Sequence, residues 1–178
     1  NIKEKKLNYI TEKFIIFSGS YDYKPNKIAI DFIIKKILKK IKKYNIKLVL
    51  TGNHIKKFHN KDVYNLGFVS TNKLKYLHKK SICLIVPIFE GYGTRIKILE
   101  SLIWGNRIIS TSKGIEGIEY KNNKNIFVCN SLNEMISGIL KFSKSKKNIK
   151  YNLKEIENFS MVKNSKKLFK YFDYKNEF

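Results

Sequence analysis

The fold is decided by residues 82–105, which read ICLIVPIFEGYGTRIKILESLIWG. The first seven residues form a continuous apolar run, which is typical of a strand that is covered on both faces. The loop EGYGT follows, and beyond Thr94 apolar residues recur at the spacing of one helical face. The stretch therefore predicts a buried strand, a glycine-rich turn and a helix, which is the repeating unit of parallel α/β sheets.

The same alternation of short apolar runs and longer helical segments extends along the chain. Strands are predicted at 14–20, 47–52, 63–69, 82–88, 107–111 and 125–130. Helices are predicted at 27–44, at 71–80 with Thr71 as the cap, from Thr94, at 131–144, and from Tyr151 to Tyr171. Strict alternation with short connections predicts a Rossmann-like α/β fold, a doubly wound parallel sheet in three α/β/α layers.

The glycine-rich loops all follow predicted strands. They contain Gly19, Gly52, Gly91 with Gly93, and Gly114 with Gly117. In a parallel sheet these loops share one edge, and ligands bind at the carboxyl ends of the strands. That edge is the candidate site.

The charge of the chain is strongly positive, at +23 over 178 residues. Only Arg95 and Arg107 are arginines, so lysine supplies nearly all of the charge, and it is spread along predicted helices. We interpret the lysines as solvated faces, with a polyanion-binding surface as the alternative. Cys83 and Cys129 lie in apolar runs without metal-site spacing, which predicts buried free thiols and no metal site.

The start of the helix after EGYGT has the chemistry of an anion site. Glycines let the backbone approach a ligand, and the free N–H groups and dipole of a helix start attract negative charge. Arg95 and Lys97 lie in this first turn, where the same dipole disfavours cations. Their placement predicts that a phosphate or diphosphate binds there.

Glu100 lies beside the apolar stripe of this helix, so its carboxylate is predicted to be half-buried and in need of hydrogen-bond donors. Two interpretations stay open from the sequence alone. One is an ion pair with Lys97 one turn away. The other is a carboxylate that accepts two hydroxyl hydrogen bonds, as a ribose diol would offer.

The stretch GYGTRIKILESLIWGNRIISTSKGIEGI resembles the signature of the donor-binding half of GT-B glycosyltransferases, in particular family 4-like enzymes. The resemblance extends upstream to FSGSYDYKPN and LGFVS, and downstream to FSMVKNSKKLFKYF, which is similar to the closing helix of such domains. It thus covers the chain from Phe14 to about Tyr171. The resemblance implies one half of a GT-B fold.

Carried over position by position, the resemblance implies catalytic roles for Arg95 and Lys97, which would contact the donor diphosphate and stabilise charge on the leaving group. Glu100 would bind the nucleotide ribose. The other donor-binding positions would be Gly91 and Gly93 beside the diphosphate, Thr94 as the helix cap, the backbone of Phe68 and Val69 at the base, and Gly19 in the loop facing the partner domain.

Glu90 departs from the family pattern. Many members carry two glutamates with seven residues between them, whereas Glu90 and Glu100 are separated by nine. Tyr92 occupies the position with the usual spacing, so the role of Glu90 toward the transferred sugar stays open. The usual cations after the first strand are also absent in that form, and Lys24 and Lys27 are the available substitutes.

The resemblance implies a nucleotide-sugar-binding domain at 14–178, preceded at 1–13 by a linker from a missing N-terminal domain that holds the acceptor. It implies retaining transfer of a hexose-type sugar from a UDP- or GDP-linked donor, without a metal or other cofactor. The fragment alone would bind donor but turn over poorly. A saccharide or lipid-linked acceptor in cell envelope polysaccharide biosynthesis is expected, with no nucleic acid partner and a cytoplasmic location, peripheral at the inner membrane face if the acceptor is lipid-linked.

Two other classes of function stay open. A non-catalytic Rossmann-like module that binds a phosphorylated ligand would keep the glycine loops and the cations but would not require Glu100. A polyanion or membrane-surface binder would use the lysine excess, and its affinity would fall steeply with salt.

Overall fold

The computed structural model describes residues 10–55, 58–92, 96–118, 120 and 123–145. Its strands are β1 (Lys13–Ser18), β2 (Ile46–Thr51), β3 (Val63–Gly67), β4 (Leu84–Val86), β5 (Ile108–Ser110) and β6 (Ile126–Val128). All pair in parallel, in the order β3-β2-β1-β4-β5-β6. The predicted Rossmann-like parallel sheet is confirmed.

The helices are α1 (Lys24–Phe32), α2 (Lys39–Ile41), α3 (Thr71–Lys80), α4 (Ile96–Ile103) and α5 (Leu132–Lys144). A π-helical segment, Ile33–Leu38, joins α1 to α2, and a 3-10 turn, Lys42–Tyr44, follows. The chain adds β2 and β3 on one side of β1, and then β4, β5 and β6 on the other side. Right-handed crossovers therefore place α1 on one face of the sheet and α3 with α4 on the opposite face. The carboxyl end of β1 therefore lies at the switch point.

The N-cap of α3 differs from the prediction. Ser70, not Thr71, is the N-cap of α3, because its side chain accepts a hydrogen bond from the backbone N–H of Lys73. Ser131 caps α5 and exchanges hydrogen bonds with Glu134, forming a capping box. The predicted closing helix from Tyr151 and residues 1–9 of the predicted linker lie outside the described residues.

The core consists of the apolar strand residues and the inner faces of the helices. Cys83 and Cys129 are buried in it as free thiols, as predicted. Burial raises the pKa of Cys129 to about 11, which keeps this thiol protonated at neutral pH. Among the described residues, no group of three or more His, Cys, Asp or Glu side chains could hold a metal ion, and no helix could cross a bilayer.

Arg107 has a structural position at the end of α5. Its side chain is only 5% exposed, and its guanidinium donates to the carbonyl of Phe142 at 2.7 Å and to that of Ser145 at 3.3 Å. The same group lies 5.1 Å from the centre of the Phe142 ring. A cation at this end of a helix also interacts favourably with the helix dipole.

We expect Arg107→Met to lower the free energy of unfolding by about 2–3 kcal/mol, because the carbonyls of Phe142 and Ser145 lose a charged donor. Arg107→Lys keeps the charge but loses the planar fork, so it should recover only part of the loss. Urea denaturation measures both variants, with Lys141→Met, an exposed change on the same helix, as the control. Equal stability of all three would show that these hydrogen bonds contribute nothing.

Candidate functional site

The candidate site lies at the carboxyl edge of the sheet, where the loops after β1 and β2 are in contact. Gly19 and Gly52 have φ values of 156° and 138°, and the Gly19 N–H donates to the carbonyl of Thr51 at 2.8 Å. A Cβ added to Gly52 would lie 2.2 Å from the Gly19 carbonyl oxygen. The two glycines therefore let the loops approach each other closely. Because all six strands are parallel, the loops that hold Gly91 and Gly114 lie at this edge too, as predicted.

A cleft of about 300 Å³ opens beside these loops. It is lined by the ends of β1 and β2, by the segment after β3 and by α4. The lining residues are Ser18, Gly19, Ser20, Thr51, Gly52, Asn53, Phe68, Val69, Leu74, Ile96, Lys97 and Glu100. Five of the predicted site residues thus come together here, from three separate parts of the chain.

Lys97 is held in the cleft by buried partners. Its Nζ donates to Asn26 Oδ1 at 2.7 Å and lies 4.4 Å from the centre of the Phe17 ring. Asn26 is itself 6% exposed and donates from Nδ2 to the Ser20 carbonyl at 2.8 Å, which fixes its amide. Nζ also lies 2.8 Å from where a Cβ on Gly19 would stand. The ammonium group is therefore directed at the glycine turn after β1.

Glu100 lies one turn further along α4 and is half-buried, as predicted. Desolvation raises the pKa of its carboxyl above the ordinary value. Its carboxylate has no hydrogen bond or ion pair within the described part of the chain, and Lys97 bonds Asn26 rather than Glu100. The interpretation of Glu100 as an ion-pair partner of Lys97 is therefore wrong. A half-buried carboxylate on a cleft wall can accept hydroxyl donors from a ligand.

Glu90 and Gly91 lie on the same edge but are not among the residues that line the cleft. Glu90 is largely exposed and lies 3.7 Å from Lys24 Nζ. Gly91 has a φ of 103°, and a Cβ there would meet Pro25 Cγ at 2.7 Å and Tyr23 Oη at 2.8 Å. Gly91 thus permits the loop after β4 to pack on the start of α1.

Gly93, Thr94 and Arg95 fall outside the described residues, so their predicted roles stay predictions. The side chains that orient the site were not predicted. Asn26 holds Lys97, and His78 connects the cleft floor to α4. Asn26 follows Pro25 in the first turn of a helix, and His78 lies in a helix rich in lysine, so neither has a distinctive local pattern.

Solved structures share this fold at low identity. UDP-GlcNAc 2-epimerase from Methanocaldococcus jannaschii, in complex with UDP-GlcNAc and UDP, is 14% identical with a TM-score of 0.62, over 91% of this chain and 48% of that one. WaaG, a glycosyltransferase involved in lipopolysaccharide biosynthesis, is 15% identical with a TM-score of 0.58, over 81% of this chain and 41% of that one. The chain thus spans about half the length of the epimerase and 41% of the length of WaaG.

α,α-Trehalose 6-phosphate synthase from Burkholderia multivorans is 9% identical with a TM-score of 0.52, over 82% of this chain and 38% of that one. Comparison with curated protein sequences finds no significant match. The profile of one family, described as glycosyl transferases group 1, matches residues 12–145, which include every described strand and helix. The chain therefore belongs to the glycosyl transferases group 1 family, and its sheet is one half of a GT-B fold.

Proposed function

We propose that this domain binds a nucleoside-diphosphate sugar as the donor half of a glycosyltransferase. The observation that carries the proposal is that Lys97 and Glu100 lie on one wall of the same cleft, the cation held by Asn26 and the carboxylate without a partner among the described residues. A donor of this class carries both complementary groups, an anionic diphosphate and a ribose diol. A cleft of about 300 Å³ is also within the size range of small-molecule sites.

Each part of the donor has a matching place in the cleft. The diphosphate lies beside Gly19 and Lys97, where the backbone is open and the charge is positive. The ribose hydroxyls donate to Glu100. The base lies along the backbone of Phe68 and Val69, and the Phe68 ring, 79% exposed, stands at the rim.

The remaining predicted residues complete the proposal. Arg95 joins Lys97 in stabilising charge on the leaving diphosphate, and Gly93 and Thr94 give the start of the helix its room and its cap. Glu90 and Gly91 act from the loop after β4, on the side from which the sugar extends. The exposed apolar side chains Tyr92 and Ile96, at this edge, suit contact with a second domain.

The whole enzyme transfers a hexose-type sugar with retention and without a metal, to an acceptor on an N-terminal domain. The acceptor is a saccharide or a lipid-linked molecule of the cell envelope. The basic surface of the protein suits a location on the cytoplasmic side of a membrane. Under this proposal the present chain binds donor but does not turn it over efficiently, because the acceptor side of the cleft belongs to the other domain.

Calorimetry with UDP, GDP and their common sugar conjugates tests the proposal on the 178-residue chain. We expect micromolar binding with a clear preference for one base, retained at moderate salt. An Arg95→Ala, Glu100→Gln double variant should lose this binding. Weak binding that ignores the base and disappears with salt would instead support the polyanion interpretation.

The Glu100→Gln variant should lose affinity for the nucleoside diphosphate by about tenfold or more, because the amide offers one neutral acceptor oxygen where the carboxylate offers two charged ones. In the unsubstituted domain the pKa of Glu100 is raised, so the ionised carboxylate destabilises the free domain above that pKa. Below the ordinary pKa of a glutamate the carboxyl group has no such effect on stability. The variant should therefore melt at an equal or higher temperature at pH 7, and its advantage should shrink as the pH falls.

Glu116→Gln is the matched control, since that exposed carboxylate pairs with Lys113 at 2.6 Å and lies outside the cleft lining. Titrations at several pH values should show that the parent loses affinity as the pH falls through the raised pKa of Glu100, whereas Glu100→Gln shows no such loss. Undiminished nucleotide binding by Glu100→Gln would favour the alternative, a non-catalytic module that binds a phosphorylated ligand.

A further inference from the structure

A chain of buried polar side chains leads from the floor of the cleft into the protein. Ser18 and Thr51 line the cleft, and Thr51 Oγ1 donates to Ser18 Oγ at 2.9 Å. Behind them His78 is only 1% exposed, with Nε2 at 3.2 Å from Ser18 Oγ and Nδ1 at 2.9 Å from Ser101 Oγ. His78 thus joins the end of β1 to α4, at the residue that follows Glu100.

The surroundings of His78 favour one of its two tautomers over the other. The Asn106 amide is oriented by the backbone N–H of Arg107, which donates to its Oδ1 at 2.9 Å. Asn106 Nδ2 therefore faces inward, donating to Ser81 Oγ at 3.0 Å and lying 3.5 Å from His78 Nδ1. An amide nitrogen can only donate, so this arrangement favours Nδ1 as the acceptor of the ring and a proton on Nε2.

With the proton on Nε2, His78 donates to Ser18 Oγ. Ser18 Oγ then accepts two hydrogen bonds, one from His78 and one from Thr51, which fills both lone pairs of a hydroxyl. Among the described residues no acceptor is left for its own proton, so that proton is available to a group in the cleft that Ser18 lines. The hydroxyl is therefore fixed as a donor toward whatever occupies the cleft.

We infer that Ser18 donates a hydrogen bond to a phosphate oxygen of the bound nucleoside diphosphate, with His78 as the positioning residue that sets its direction. This inference rests on the proposed function. Phosphate is favoured because Ser18 precedes Gly19, the turn at which Lys97 Nζ is directed. An oxygen that accepts from Ser18 would thus lie beside a cation.

The tautomer can be measured without any ligand. Nitrogen-15 NMR of the labelled chain distinguishes a ring protonated on Nε2 from one protonated on Nδ1, and His78 is assigned by comparison with a His78→Phe variant. We expect the proton on Nε2 of His78. A proton on Nδ1 would make Ser18 the donor to the ring, leave it with nothing to donate to the cleft, and overturn the inference.

Binding of UDP or GDP, whichever the chain prefers, tests the role of Ser18. Ser18→Ala and His78→Phe should each weaken binding by about five- to tenfold, as the loss of one hydrogen bond does. The double variant should be no weaker than either single variant, because both remove the same contact. His59→Phe, the same change at an exposed histidine, is the control and should bind normally.

Thr51→Val keeps the test independent of whether His78→Phe folds. It removes one donor to Ser18 while leaving the histidine in place, and it should weaken binding less than Ser18→Ala. Additive losses in the double variant, or normal binding by Ser18→Ala, would overturn the inference alone. Absence of binding by the unsubstituted chain would overturn the proposed function as well, and the NMR result would still decide the tautomer.

Discussion

Lys97→Met is expected to weaken binding of the preferred nucleoside diphosphate by about 10- to 100-fold while leaving the fold intact. The ammonium group is already held in place by Asn26 and Phe17, so its interaction with a phosphate requires little further ordering. Methionine has a similar length and keeps the apolar contact with Phe17. Calorimetry at moderate salt measures the loss, and circular dichroism checks the fold.

Lys24→Met is the matched control for this prediction. Lys24 lies on the same edge and is 80% exposed, but it pairs with Glu90 and does not line the cleft. Its removal lowers the net charge by the same amount, so it measures the contribution of diffuse electrostatics. Equal losses from the two variants would show that the general positive charge binds the nucleotide and that Lys97 has no special place.

Gly52→Ala is expected to lower the free energy of unfolding by about 3 kcal/mol or more, from backbone strain and overpacking together. A φ of 138° is unfavourable for any residue with a Cβ, and the new methyl group would stand 2.2 Å from the Gly19 carbonyl oxygen. Because the obstacle is backbone, no side chain can rotate away. The variant should also bind nucleotide poorly, since the turn at Gly19 must move.

Gly117→Ala separates the two causes. Gly117 has a φ of 81°, but none of the described residues lies within 4 Å of the position that its Cβ would take, so only the backbone strain applies there. We expect a loss of about 1 kcal/mol for this variant. Thermal and urea denaturation of both variants make the comparison. If the two losses are equal, the close approach of the two loops does not constrain the fold.

The sequence predicted the sheet well, because strands buried on both faces are continuously apolar. Strand ends were predicted less well. The apolar run at 82–88 continues through Pro87, yet β4 pairs only over Leu84–Val86, because proline has no N–H to offer a neighbouring strand. The N-cap of α3 is Ser70 and not the predicted Thr71, because two neighbouring hydroxyl residues can each fill this position.

The sequence predicted those site residues whose position follows from helical periodicity. The phase of α4 alone indicated a half-buried Glu100, and it brought Lys97 to the same wall one turn away. Periodicity assigns a residue to a face but does not identify which distant side chain it meets. Asn26 and His78 contact residues 71 and 60 positions away in the chain, so local patterns could not reveal them.

The position of β1 has a consequence for how the domain comes together. β1 to β3 are contiguous in the chain, as are β4 to β6, and the two groups join at one seam, where Ile16 is the β1 residue in register with Leu84. The cleft lies across this seam, with Ser18 and Phe68 from the first group and Lys97 and Glu100 from beyond β4. A molecule bound there would act as a clasp between the two groups of strands. During synthesis the clasp could engage only after α4 had emerged.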